Sequence, residues 1–313
     1  MRPPVPRFAG FAIACALTFA LTACADGGGA DMPTPQIAGL ITDGALDEIS
    51  GIAASRRHDG VLWAIDDSGN PARLYAIGRR GGRLGTYQVE GVEKTDWEDI
   101  AAFELNGKPY LLVADTGDNG GIRKLLQLHV FEEPEDAEAD GTLRPAWSLQ
   151  FRWPDGARDC EAVAVDAERN QIILISKKRQ PPQVFTLPLQ PRAGGKGPKT
   201  ETAALAGTLA GAPQADARER RDNPTMARLR SQVTAADIAP HRDAIAVLTY
   251  DNLLIYRRKP AQTWPQALAS APQVVRLRFL PQAEAVAWSR GGGGIYATGE
   301  FNPAPIMYLP WAR

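Results

Sequence analysis

One three-strand pattern recurs along this chain, and it constrains the fold more than any single residue does. Its first strand reads EISGIAAS from Glu48, DWEDIAAF from Asp96, DCEAVAVD from Asp159, TAADIAPH from Thr234 and QAEAVAWS from Gln282. A second strand follows each within a few residues: VLWAIDD, YLLVADTGD, IILISKK, AIAVLTYD and GIYATGE. A third comes next: RLYAIG, LQLHVF, QVFTLPL, NLLIYRR and IMYLPW. A β-meander repeated at about 50-residue spacing predicts blades arranged radially around one axis, a β-propeller. Turns rich in Gly, Asn, Asp and Pro separate the runs, and no long stretch keeps a helical period, so the class is all-β.

Four repeats supply a fourth strand, read at GTYQVEG, WSLQFRW, TAALAGTL and QVVRLRFL. The fifth has none. One strand, QIAGLITD (Gln36–Asp43), is left over ahead of the first repeat. Pairing that N-terminal strand with the C-terminal blade would close the ring and remove its exposed edges. The count is five four-stranded blades. The interval from Asp159 to Thr234 exceeds the others, and its excess is Gly-, Pro- and charge-rich. It reads as a long loop over 190–231, with a sixth blade as the alternative. Within it, the Arg-rich stretch Ala217–Arg230 alternates with acids and reads as a solvated loop or helix face.

The first residues stand outside the repeat. Arg2 and Arg7 precede an apolar run from Phe8 to Ala20, too short for a spanning helix and placed like a secretory signal. Leu21-Thr22-Ala23-Cys24 resembles a bacterial lipobox. The expected organisation is a signal peptide over 1–23, a Gly/Pro-rich tether over 24–36 and the propeller over 37–313, with Cys24 lipidated. Ala25 rather than Asp after the Cys favours the outer membrane, with the domain facing the periplasm.

Composition excludes several classes. Cleavage before Cys24 removes two of the 35 Lys and Arg and none of the 36 Asp and Glu, so no basic excess supports nucleic-acid binding. Of three Cys, Cys15 leaves with the signal and Cys24 is acylated. Cys160 remains, with no disulfide framework. It stands between Asp159 and Glu161, where acids raise a thiol's pKa, and reads as a small packed residue. The three His, at 58, 129 and 241, miss the aligned positions, and no G-x-S-x-G occurs. A Ser-His-Asp hydrolase is not expected.

Alignment of the repeats points to a site. The third position of the first strands holds Ser50, Glu98, Glu161, Ala236 and Glu284; the first holds Glu48, Asp96, Asp159, Thr234 and Gln282. The second strands end at Asp66 and Asp67, at Asp115, Asp118 and Asn119, at Lys177 and Lys178, at Tyr250 and Asp251, and at Glu300. First strands lie innermost in a propeller and second strands run antiparallel to them, so both sets should meet at one channel mouth. Converging carboxylates either take up protons or hold a cation. Oxygen donors without His or Cys suit Ca²⁺, Mg²⁺ or another divalent cation, with Glu98, Asp115, Asp118, Asn119, Glu161 and Glu284 as candidate ligands. No organic cofactor is implied. Asp66, Asp67, Lys177, Tyr250 and Glu300 complete the expected substrate or partner rim. Asp96, Asp99 and Asp159 either join that site or cap backbone N–H groups. Lys177 either pairs with Glu161 or holds an anionic substrate group. Trp97 reads as blade packing.

The motifs EISGIAAS…LWAIDDSG, DWEDIA…ADTGDN, DCEAVAVD…LISKK, TAADIAP and EAVAW…YATGE together resemble bacterial envelope propellers of the TolB-like and phytase-like ("esterase-like") grouping. That resemblance implies a propeller over nearly all of the mature chain and a mouth that can carry a divalent ion. Two functions follow. The first is a non-catalytic, membrane-anchored binding module for an envelope protein or glycan, acting as a monomer through an acidic, Ca²⁺-binding mouth. The alternative is a divalent-metal-dependent hydrolase of a lactone, ester or phosphoester, with Glu98, Glu161, Glu284 and Lys177 as its catalytic candidates.

Overall fold

A computed structural model describes residues 34–192, 199–277, 280 and 282–312. The expected signal peptide and the expected lipidation site at Cys24 lie outside the described residues. The chain begins with β1 (Gln36–Ile41). The first blade is built from β2 (Ile49–Ala54), β3 (Val61–Asp66), β4 (Arg73–Gly78) and β5 (Arg83–Val89). The second contains β6 (Trp97–Leu105), β7 (Lys108–Asp115) and β8 (Leu126–Glu132). A short strand β9 (Gly141–Leu143) then crosses back to pair in parallel with β5, and β10 (Trp147–Arg152) completes the second blade.

The third blade takes β11 (Cys160–Asp166), β12 (Gln171–Ser176) and β13 (Gln183–Pro188). After it, β14 (Glu201–Thr202) pairs in parallel with β10, and β15 (Ala204–Thr208) returns as the third blade's outer strand. The fourth blade is β16 (Val233–Ile238), β17 (Ala244–Thr249), β18 (Asn252–Arg257) and β19 (Gln273–Arg276). The fifth is β20 (Ala283–Trp288), β21 (Gly294–Gly299), β22 (Ala304–Pro310) and, outermost, the N-terminal β1. The described strands therefore form five blades, closed by the chain's two ends.

The hairpins follow from local chemistry. Asn106 and Gly107 sit at φ 52 and 75 between β6 and β7, the left-handed pair that a tight two-residue hairpin turn requires. The long interval between the third and fourth blades carries α1 (Ala217–Asp222) and α2 (Pro224–Leu229). Asp216 and Glu219 close a capping box on α1, and neither helix buries a residue, so this stretch is a solvated helix face. A third helix, α3 (Trp264–Leu268), lies between β18 and β19 and buries Trp264, Ala267 and Leu268.

The core is divided into five apolar clusters, one for each interface between neighbouring blades. Trp63 and Trp97 sit between the first and second, and Trp288 and Trp311 between the fourth and fifth. Trp97 is fully buried, as blade packing requires. Buried polar ties cross the same interfaces: Asp237 accepts from Trp288 N at 2.7 Å, and Glu133 from Trp63 Nε1 at 2.8 Å. One tie spans the axis. Asp99 on β6, wholly buried, accepts from Val163 N on β11 at 2.8 Å and Ala236 N on β16 at 3.2 Å. Three inner strands are thus joined by one side chain that crosses the channel.

Candidate cation site at the channel mouth

All five inner strands carry a β-bulge at the same level, each skipping one residue of the ladder. The skipped residues are Ser50, Glu98, Glu161, Thr234 and Glu284. A bulge re-aims the extra side chain, and here it does so around one mouth. The fourth blade departs from the expected alignment: Thr234, not Ala236, is the counterpart of Glu98. Thr234 Oγ1 donates to Ala283 O at 2.7 Å, so this blade supplies a hydroxyl tie where three others supply a carboxylate.

Two carboxylate triads form here and share Glu98. Oxygens of Asp67, Asp96 and Glu98 lie within 4.8 Å of one another, and so do those of Glu98, Asp159 and Glu161. Glu98, Asp159 and Glu161 are buried, and Asp67 and Asp96 are half-buried. No hydrogen-bond donor among the described residues reaches Glu98, and Glu161 Oε2 is buried without a partner. Gly117 makes the close approach possible, since a Cβ there would overlap Glu98 Oε1 and Asp96 Oδ2.

Lys177 enters from the end of β12 and pairs with Glu161 Oε1, with its ammonium 5.1 Å from the centre of the Tyr250 ring. Burial works against its charge, but Glu161 and Glu284 outweigh that and hold it protonated. Lys178 pairs with Asp159 at 2.9 Å and with Asn119 Oδ1 at 2.7 Å.

The acids respond to crowding and burial. Burial, then Glu161, Asp67 and Asp96, push Glu98 well above the usual carboxylate range. Glu161 is raised by burial against the pull of Lys177. Asp96 is pushed up to about 6 by burial and Asp67. Glu284 reaches about 8 through burial, with Lys177 opposing. Glu300 is raised by burial and Asp67. Such a group holds protons until a cation replaces them.

Other expected ligands stand a layer outward with their oxygens engaged. Asp115 accepts from Thr95 N at 2.8 Å, Asp96 N at 3.2 Å and Arg123 Nη2 at 2.6 Å. Asp118 accepts from Ile122 N and Arg123 N at 2.8 and 3.0 Å, and its own N–H donates to Asp159 at 2.9 Å. The loop of Asp115, Asp118 and Asn119 therefore shapes the site by holding Asp96 and Asp159. Asp66 also stands apart: it is buried, with both carboxylate oxygens unpartnered. Lys94 donates to the backbone carbonyls of Asp66 and Asp67, at 2.8 and 2.6 Å. Asp96 and Asp159 belong to the triads as well as to turn chemistry. Their signal in the sequence is the acid at the first position of the repeat.

No family model matches the chain, and no curated protein does. Among solved structures, that of U3-55K is similar at 12% identity, over 84% of this chain and 68% of its own, with a TM-score of 0.37.

Proposed function

We propose that this protein is a binding module of the bacterial cell envelope whose acidic mouth takes a divalent cation, Ca²⁺ foremost. The observation that carries the reading is the pair of triads sharing Glu98, with Glu161 Oε2 buried and unpartnered beside it. Hard oxygen donors without imidazole or thiolate suit Ca²⁺ or Mg²⁺. Bound there, the ion would neutralise the crowded acids and complete a surface for an envelope protein or glycan. The side chain of Asp99 crossing the channel favours a shallow binding mouth over a deep reaction chamber. The lipobox-like Leu21–Cys24 supports anchoring of a monomer at the outer membrane, facing the periplasm.

A second reading, a metal-dependent hydrolase of a lactone, ester or phosphoester, draws on Lys177. It is a buried ammonium among the acids, paired with Glu161, and would have to leave that carboxylate to hold a substrate anion. One experiment tests the cation site on which both readings rest. Ca²⁺, Mg²⁺ and Mn²⁺ are titrated into the chain starting after Cys24, by calorimetry and melting temperature, beside a Glu98→Ala/Glu161→Ala variant. Saturable binding that raises the melting temperature in the parent alone supports the cation site and opens a screen of lactones and phosphoesters. No heat and no shift with any of the three ions overturns both metal-based readings.

A further inference from the structure

The opposite end of the channel is a different chemical environment. Where the acidic mouth is built from the N-terminal ends of the inner strands, a cavity of about 250 Å³ opens among their C-terminal ends. All five blades contribute. Arg56 follows β2, Phe103 lies on β6, Val165 on β11, Ile238 on β16, and Arg290 follows β20. Arg242, in the turn after β16, is the third cation, and Glu104 is the one acid among the lining residues.

The guanidinium groups are not equally committed. Arg242 pairs with Glu168 at 2.5 Å. Arg56 is oriented by its Nε, which donates to Ala102 O at 3.0 Å, and no carboxylate among the described residues pairs with it. Asp237 is near enough to feel the Arg56 charge, but its Oδ2 accepts from Trp288 N. Arg290 is exposed, again with no ion pair among the described residues. Phe103, Val165 and Ile238 are buried and give the cavity an apolar floor. Planar donors above an apolar floor recognise an anionic group carried on an apolar body.

We propose that this basic end of the channel is a second binding site, for a compact organic anion: a phosphate or carboxylate on a small apolar or aromatic body. The site is independent of the acidic mouth, because Asp99 crosses the channel between them.

The test is calorimetric titration of the full chain with phenyl phosphate, beside inorganic phosphate and benzyl alcohol. Phenyl phosphate should bind saturably, more tightly than either fragment, and more weakly as salt rises. Arg56→Gln and Arg290→Gln should each weaken it about tenfold, while Glu161→Gln at the other mouth should leave it unchanged. Arg290 is exposed and unpaired, so its variant tests the site even if Arg56→Gln fails to fold. Absent or unsaturable binding, equal binding of inorganic phosphate, or an affinity unmoved by Arg290→Gln would overturn the proposal.

Discussion

Replacing Asp66 by Asn should flatten the dependence of stability on pH, and the size of the effect follows from the burial of one carboxyl group. Asp66 is 2% exposed and neither of its oxygens finds a donor. Burial pushes its pKa from 3.8 to about 7; Lys94 pulls down, and Asp47, Glu48 and Asp43 add to the rise. A folded-state pKa above the unfolded one means that the native state binds the proton more tightly. The stability this contributes is present below about pH 4 and is lost as pH rises through about 7. The whole difference is on the order of 4 kcal/mol, of which roughly 2–3 is lost between about pH 5 and 8. Asn is neutral throughout. Urea unfolding of parent and Asp66→Asn across that range should give curves that diverge by this amount, the variant being the flatter. Other raised acids affect both proteins alike, so the difference isolates Asp66. Parallel curves would refute the reasoning, whatever their vertical offset.

Asp99→Ala should cost about 3–6 kcal/mol, because it strands the buried N–H groups of Ile100, Val163 and Ala236; an unchanged urea midpoint would contradict that. Gly117→Ala should leave the melting temperature nearly intact while weakening Ca²⁺ about tenfold or more, since the new methyl displaces the carboxylates of Glu98 and Asp96. Retained affinity would place the ion elsewhere. Cation binding should weaken as pH falls from about 8 to 5, with protons released on binding, because Glu98, Glu161 and Glu284 are all raised; calorimetry in buffers of different ionisation heat reads this directly. Cys160 is fully buried and burial pushes its thiol up, so iodoacetamide should label it only in denaturant; labelling of native protein at the unfolded rate would show that the interface between the second and third blades opens.

The strands were legible because each repeats one alternation of apolar and polar residues, and the ring because the chain offered an unmatched strand at its front. The alignment of the fourth blade was not. Asp-Ile-Ala at Asp237 copies Asp-Ile-Ala at Asp99, and a two-residue slip keeps every side chain on its own face of the sheet. The apolar pattern therefore cannot distinguish Ala236 from Thr234; only the bulge position does. Strands β9 and β14 escaped for another reason: each is two or three residues long and pairs in parallel with a distant partner. In the site, Glu98 and Glu161 were visible as repeated acids. That Asp115 and Asp118 serve the loop instead could be known only from which N–H groups reach them. Gly117 carried no periodic signal at all, because its contribution is the space it leaves.

The closing strand has a kinetic consequence. Asn302, in the turn before β22, donates to the carbonyl of Asp43 just after β1, across 259 positions of chain. Every other described blade can assemble its four main strands from neighbouring sequence as it is synthesised. The fifth must wait for its first-made strand to be met by its last-made one. Until then β1, with Ile37 and Leu40 exposed even in the finished ring, is an unsatisfied edge that other chains can capture. Contacts of such long range are slow to form, so ring closure is the expected late step of folding. A chain lacking β22 should hold four blades and an open end that associates with its own kind.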